Sequence, residues 1–234
     1  MDEQKLKHIM PEVYRRLFKR YGPQHWWPAD EPFEVIVGAI LTQSAAWTNV
    51  EKAVNNLKEA GALTAGALRA MPEPELARLI YPSGYHNVKS RKLKAFAGWF
   101  GERYGDSLEK LFAQDARVLR DRLLAVYGIG EETADSILLY AGNKPVFVID
   151  AYTRRIIDRM GLAPRVKSYT EYQKIFMSAL PPDASLFNEY HALLVRLAKE
   201  TCRKKPLCNQ CCLVPETENI NVSASGDFPC AGFK

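Results

Sequence analysis

Asp150 closes the apolar run Val146-Phe147-Val148-Ile149 and opens Ala151-Tyr152-Thr153-Arg154-Arg155. An acid there is a ready helix N-cap, its carboxylate accepting amide hydrogens that have no intrahelical partner, and taken alone the cap is the favoured reading. Twenty residues earlier, Leu123 to Leu138 reads LLAVYGIGEETADSIL: a helix, the turn Gly128-Ile129-Gly130, and a second helix opening through Thr133. Glycines let backbone approach an anion closely, and the first amides of the second helix face it. Such a turn grips phosphates without reading bases, which points to sequence-independent duplex binding. Read alone, it is as readily an ordinary helix–helix turn. Beside a phosphate-gripping turn, however, a carboxylate gains a second use, stabilising the oxocarbenium-like sugar that forms as a glycosidic bond breaks.

The third group is sulfur. All five cysteines fall late in the chain: Cys202, Cys208, Cys211 and Cys212 within eleven residues, then Cys230. Arg203, Lys204 and Lys205 interleave with them. In a reducing compartment this density reads as metal ligation, by zinc or an iron-sulfur centre, more than as disulfides.

These residues need a scaffold, and the hydrophobic pattern supplies helices. Leu6, Ile9, Met10, Val13, Tyr14, Leu17, Phe18 and Tyr21 recur at intervals of three and four until Gly22-Pro23. Phe33 to Gln43 predicts a helix apolar on nearly every side, and Trp47, Val50, Val54 and Leu57 another. Shorter helices follow from Pro74, then Leu93 to Tyr104, near 108 to 113 and 115 to 126, Thr133 to Tyr140, Thr153 to Met160, Tyr169 to Leu180 and Ser185 to Thr201. Only Val146 to Ile149 resembles a strand, and four residues without a partner build no sheet, so the expected class is all-α. Hydrophobic residues at 47% against 25% charged exclude a disordered chain. No apolar run approaches the roughly 20 residues of a membrane span, and MDEQKLKHIM lacks a signal-peptide core. A cytoplasmic protein is expected, with no membrane partner. A net charge of +5 suits a polyanionic partner.

Taken together, the glycine hairpin, the acid twenty residues on and the C-terminal cysteines resemble the helix-hairpin-helix DNA glycosylases of the endonuclease III superfamily over most of the chain. Ile40-Leu41-Thr42-Gln43-Ser44 is similar to that family's Leu-Thr-Gln element. The nearest branch is 3-methyladenine DNA glycosylase III, which His25-Trp26-Trp27-Pro28, Leu41-Thr42-Gln43 followed by Trp47, Tyr81-Pro82-Ser83-Gly84-Tyr85 and Glu132 all resemble. The resemblance implies two helical domains flanking a DNA-binding cleft. One is a six-helix barrel at 31–142 containing the hairpin, about 123–138; the other joins 1–30 to 143–234 and carries a cluster loop at 202–230. It implies a monomer acting on double-stranded DNA with a damaged base, nucleoid-associated when bound.

For the site, the resemblance implies Asp150 as the key acid. Trp26, Trp27, Trp47, Gln43 and Glu132 would line the pocket, and Gly128, Ile129, Gly130 and Thr133 would hold DNA. Aromatic faces suit a purine made cationic by alkylation, which is also a good leaving group. Bifunctional members carry a nucleophilic lysine where this chain has Glu132, so excision without strand cleavage is expected. The cofactor implied is a 4Fe-4S cluster, but the family's gaps of six, two and five residues are five and two here, with no cysteine at the usual fourth place. Adjacent thiolates at Cys211 and Cys212 are cramped, so Cys230 is preferred to Cys212 as the fourth ligand beside Cys202, Cys208 and Cys211. Two other functions stay open: removal of a different lesion (oxidised pyrimidine, uracil or mismatched base), and DNA binding without catalysis.

Overall fold

In the computed structural model, which describes residues 3–214, every element is helical and no strand occurs among the described residues. The described residues form two compact units, 3–26 with 145–214, and Trp27–Lys144.

The Trp27–Lys144 unit is built round α2 (Pro32–Leu41), whose residues from Phe33 to Leu41 are all buried. The single charge among them, Glu34, is met by Lys58 Nζ at 2.8 Å. α3 (Trp47–Glu59) and the long α6 (His86–Tyr104) pack against it, with the short α4 (Ala65–Ala70) and α5 (Glu73–Leu79) against α6. Phe33 stacks on Phe100, and Phe100 on Phe96. α7 (Leu108–Phe112) and α8 (Ala116–Leu124) lead to the hairpin turn and α9 (Glu131–Ser136). The expected helix from Thr133 to Tyr140 is thus two pieces, because Ile137–Ala141 winds as one π-helical turn, with Gly142 N–H donating to Ile137 O at 3.0 Å. A Cβ at Gly142 would lie 2.6 Å from Phe112, so only glycine closes that turn. A π-turn shifts the angular position of the residues after it, and it sets where Tyr140 points.

In the other unit α12 (Ala184–Glu200) is central, with α1 (Glu3–Tyr21) and α10 (Ala151–Arg159) packed on it. Tyr190 is buried and donates its hydroxyl to Met10 O at 2.9 Å. The run from Val146 to Ile149 is buried but pairs with no strand among the described residues. Side chains of α11 (Tyr169–Met177) take over the duties of a neighbouring strand. Ile149 N–H donates to Tyr169 Oη at 3.1 Å, and Gln173 Nε2 donates to Phe147 O at 2.7 Å. Buried backbone polar groups must be satisfied, and this is how the segment is held while Phe147 stacks on Phe176 at 3.9 Å. Its far end is Asp150.

Candidate active site

Asp150 performs the cap that its position suggests, with Oδ1 accepting from Thr153 N–H at 2.7 Å at the start of α10. That engages one oxygen only. Oδ2 faces His191 Nε2 across 3.8 Å, with side chains 15% and 8% exposed respectively. Burial pushes the His191 imidazole below its ordinary value, and the Asp150 charge opposes that shift. His191 was missed in the sequence, although a signal exists: a lone histidine on the apolar stripe Phe187, Tyr190, Leu194 and Leu197.

The hairpin is latched from behind. Gln43 Nε2 donates to Gly128 O at 3.0 Å and to Thr133 Oγ1 at 2.9 Å, while Gln43 Oε1 accepts from Lys92 Nζ. Gly128 has φ +81°, and a Cβ there would lie 2.3 Å from the Lys92 side chain, so glycine is required twice over. Gly130 has extended backbone and nothing within 4 Å of a notional Cβ, leaving that side of the turn open. Ile129 is buried as the plug of the turn, and Thr133 is buried with its hydroxyl turned inward to Gln43. Beneath α9, the fully buried Asp135 carboxylate accepts from Arg120 Nε at 2.6 Å, and Arg120 also lies 3.6 Å from Glu131. The hairpin's acidic first turn is therefore partly neutralised. Glu132 stands exposed on that turn.

Of the expected pocket residues, Trp27 and Trp47 meet edge to face at 5.0 Å. Tyr140 joins them, its ring 5.3 Å from Trp27 and supplied by the π-turn, which no periodicity signals. Gly38 lets Trp27 lie on α2, since a Cβ there would be 3.0 Å from Trp27 Cζ2. All three rings are half-buried. Trp26 is half-buried and belongs to the other unit. Gln43 is engaged at the hairpin. Tyr81 and Tyr85 are exposed at 67% and 71%, Tyr85 with a left-handed φ of +47°, a strained backbone holding an apolar ring in water.

Cys202 follows α12 and is buried, its Sγ accepting from Arg159 Nη1 at 3.2 Å. Cys208 opens a single 3₁₀ turn to Gln210, and Cys211 N–H donates to Cys208 O at 3.1 Å. Burial raises the Cys208 thiol and pushes that of Cys211 up to about 11, with charge on Cys212, Cys202 and Cys208 adding to the shift at Cys211. Cys212 is raised by burial and opposed by Arg20 and Arg16 of α1. Among the described residues no group of three His, Cys, Asp or Glu could hold a metal ion. Cys230, the preferred fourth ligand, lies outside the described residues.

A helical fold with a glycine hairpin, and an acid capping the helix that follows it, defines a class of DNA-repair protein. The family description "HhH-GPD superfamily base excision DNA repair protein" matches residues 37–182. A putative DNA repair glycosylase of Methanocaldococcus jannaschii, MJ1434, is 44% identical over 212 residues, covering 90% of this chain and 96% of that one. Endonuclease III of Thermotoga maritima is 28% identical over 224 residues, covering 94% and 97%. The crystal structure of Helicobacter pylori 3-methyladenine DNA glycosylase (MagIII) bound to 1,N6-ethenoadenine superposes with a TM-score of 0.71 at 27% identity, covering 86% of this chain and 98% of that one. The chain belongs to the HhH-GPD superfamily, as a base excision repair DNA glycosylase.

Proposed function

We propose that this glycosylase hydrolyses the N-glycosidic bond of an alkylated purine such as 3-methyladenine in double-stranded DNA, acting as a monomer and leaving the abasic strand uncut. The observation that carries the reading is the aromatic set of Trp27, Trp47 and Tyr140 in the unit that bears the hairpin. A purine alkylated on a ring nitrogen is cationic, and an aromatic face attracts such a charge by about 0.5–2 kcal/mol. Trp26 would add a further face and Glu132 an attractive field. The H. pylori neighbour, named for 3-methyladenine and holding 1,N6-ethenoadenine, supports a modified adenine as occupant. Exposed Tyr81 and Tyr85 offer rings on which unstacked bases can rest.

The turn Gly128-Ile129-Gly130 would take the phosphate backbone on its open side. Thr133, turned inward, would contribute through its amide. Asp150 would stabilise the positive charge that develops on the sugar as the base departs, and accept the proton of the attacking water. Glu132 at the lyase position leaves no amine there for attack on the sugar.

Cys202, Cys208, Cys211 and Cys230 would hold a 4Fe-4S cluster. Three of the four are thiols close enough to influence one another's charge, with the Arg159 guanidinium on Cys202, a donor set suited to anionic iron-sulfur ligation. When bound, such a cluster supplies a cross-link to the segment after α12.

The test is a panel of duplexes, each with one lesion: 3-methyladenine, 7-methylguanine, 1,N6-ethenoadenine, thymine glycol, uracil, or thymine opposite guanine. Release of the alkylated purines is expected, with Asp150→Asn abolishing excision while binding to damaged duplex stays within about tenfold, because the carboxylate acts on the transition state. Borohydride is expected to trap no covalent adduct. Excision of thymine glycol alone overturns the substrate; a trapped adduct overturns the single activity. Retained excision in Asp150→Asn removes the acid from the mechanism.

A further inference from the structure

A carboxylate that must act on a developing cation has two oxygens to control. At Asp150 the helix cap holds Oδ1 through Thr153 N–H at 2.7 Å, which alone leaves the carboxylate free to rock about its last torsion. The second oxygen faces His191 Nε2 at 3.8 Å. This exceeds a hydrogen bond, and it is the range from which catalytic contacts tighten once substrate is bound. His191 itself is held firmly. It stands within α12, among buried Tyr190, Leu193 and Leu194, with the Phe147 ring edge-on at 6.3 Å.

The surroundings single out this pair. On α10, Arg154 lies over the rings of Tyr169 and Tyr172, and Arg155 donates to Cys202 O and Ala198 O. On α1, Tyr14 packs on Tyr190. The Asp150 charge acts on His191. A polar ring placed in an apolar stripe costs free energy that leucine would avoid, so packing alone does not account for it.

We propose that His191 is a positioning residue for Asp150: imidazole Nε2 fixes carboxylate Oδ2 while the helix cap fixes Oδ1, so that the acid presents a single orientation to the reacting sugar. The inference rests on Asp150 being the acid of the reaction. Burial keeps the imidazole neutral near neutral pH, so it can orient the carboxylate without cancelling its charge.

Three variants separate orientation from packing. His191→Phe keeps the ring's shape without polarity; His191→Asn places an amide near Nδ1 but falls short of Oδ2; His191→Gln reaches the Nε2 position. Single-turnover excision is expected to fall by roughly ten- to a hundredfold in the Phe and Asn variants, with damaged-duplex affinity within about twofold. The Gln variant is expected to stay within about threefold of the parent rate. Wild-type rates in Phe or Asn, or a Gln variant as slow as Asn, overturn the proposal, and Asn against Gln decides should the Phe variant not fold. Without any substrate, the His191 Hε1 resonance followed against pH is expected to titrate lower in Asp150→Asn, which removes the opposing charge; an unaltered midpoint overturns the pairing. Excision retained in Asp150→Asn would mean that the acid assignment itself fails, whereas an inactive Asp150→Asn beside fully active His191 variants would remove only the positioning role.

Discussion

Lys89 is a cation 1% exposed, with Nζ donating to Leu41 O at 2.8 Å and Ser83 O at 2.6 Å. Leu41 ends α2, so its carbonyl is one of those a helix leaves without an internal partner, and a cation there also meets the negative end of the helix dipole. Burial, with Lys92 adding to it, pulls the amine from 10.5 down to about 8. Lys89→Met strands two carbonyls and should cost about 2–4 kcal/mol. The sign of the pH effect follows from the unfolded chain, whose lysine keeps its ordinary value. Between about pH 8 and 10.5 the unfolded state binds more protons than the folded state, so this residue makes the protein more stable as pH rises through that window. Urea titrations of both proteins should show the wild-type advantage growing from pH 8 to 10, and a constant difference would refute the assignment. None of this is legible in His86-Asn87-Val88-Lys89-Ser90-Arg91-Lys92, a mostly polar stretch in which Lys89 is one basic residue among four. The burial depends on the end of α2 and the Ser83 turn arriving from elsewhere in the chain. His191 differs, because its apolar helical neighbours were visible.

At the level of elements, the pattern of apolar residues was enough to place most helices, since Leu6 to Tyr21 carries an apolar stripe and Phe33 to Leu41 is apolar but for Glu34. It could not show the π-turn, because Ile137, Leu138 and Leu139 are apolar in sequence and fit an α-helix equally well. Tyr140 was lost with it. The hairpin's glycines were legible, but their separate duties were not: Gly128 answers to the Lys92 side chain and a positive φ, Gly130 to open space. Different variants should therefore fail differently. Gly128→Ala forces a left-handed alanine against Lys92 and should destabilise the fold by about 1–2 kcal/mol, loosening the Gln43 latch. Gly130→Ser restores a favourable N-cap and should leave thermal stability equal or slightly raised, yet place a side chain where backbone would meet phosphate. Its affinity for undamaged duplex should drop severalfold. Full duplex affinity in Gly130→Ser would show that the open side of the turn is not where DNA is held.

Across the whole molecule the chemistry is divided. The hairpin, its latch and the Trp27-Trp47-Tyr140 set belong to Trp27–Lys144, whereas Asp150, His191, Cys202, Cys208, Cys211 and Cys212 belong to the unit of 3–26 and 145–214. Composition could exclude disorder, and a late run of cysteines could suggest sulfur ligation, but the fourth ligand turns on where particular thiols stand. Cys211 is influenced by Cys202, Cys208 and Cys212, while the charged groups acting on Cys212 are Arg20 and Arg16 of α1. A cubane spreads its thiolates over four irons, whereas a single zinc gathers its ligands about one point. The purified protein is accordingly expected to be brown, with broad visible absorbance, and colour should be lost in Cys202→Ser, Cys208→Ser, Cys211→Ser and Cys230→Ser but kept in Cys212→Ser. A colourless protein with stoichiometric zinc would overturn the cofactor. Colour lost in Cys212→Ser and kept in Cys230→Ser would reverse the fourth ligand while leaving Asp150 and the aromatic set untouched, because neither depends on sulfur.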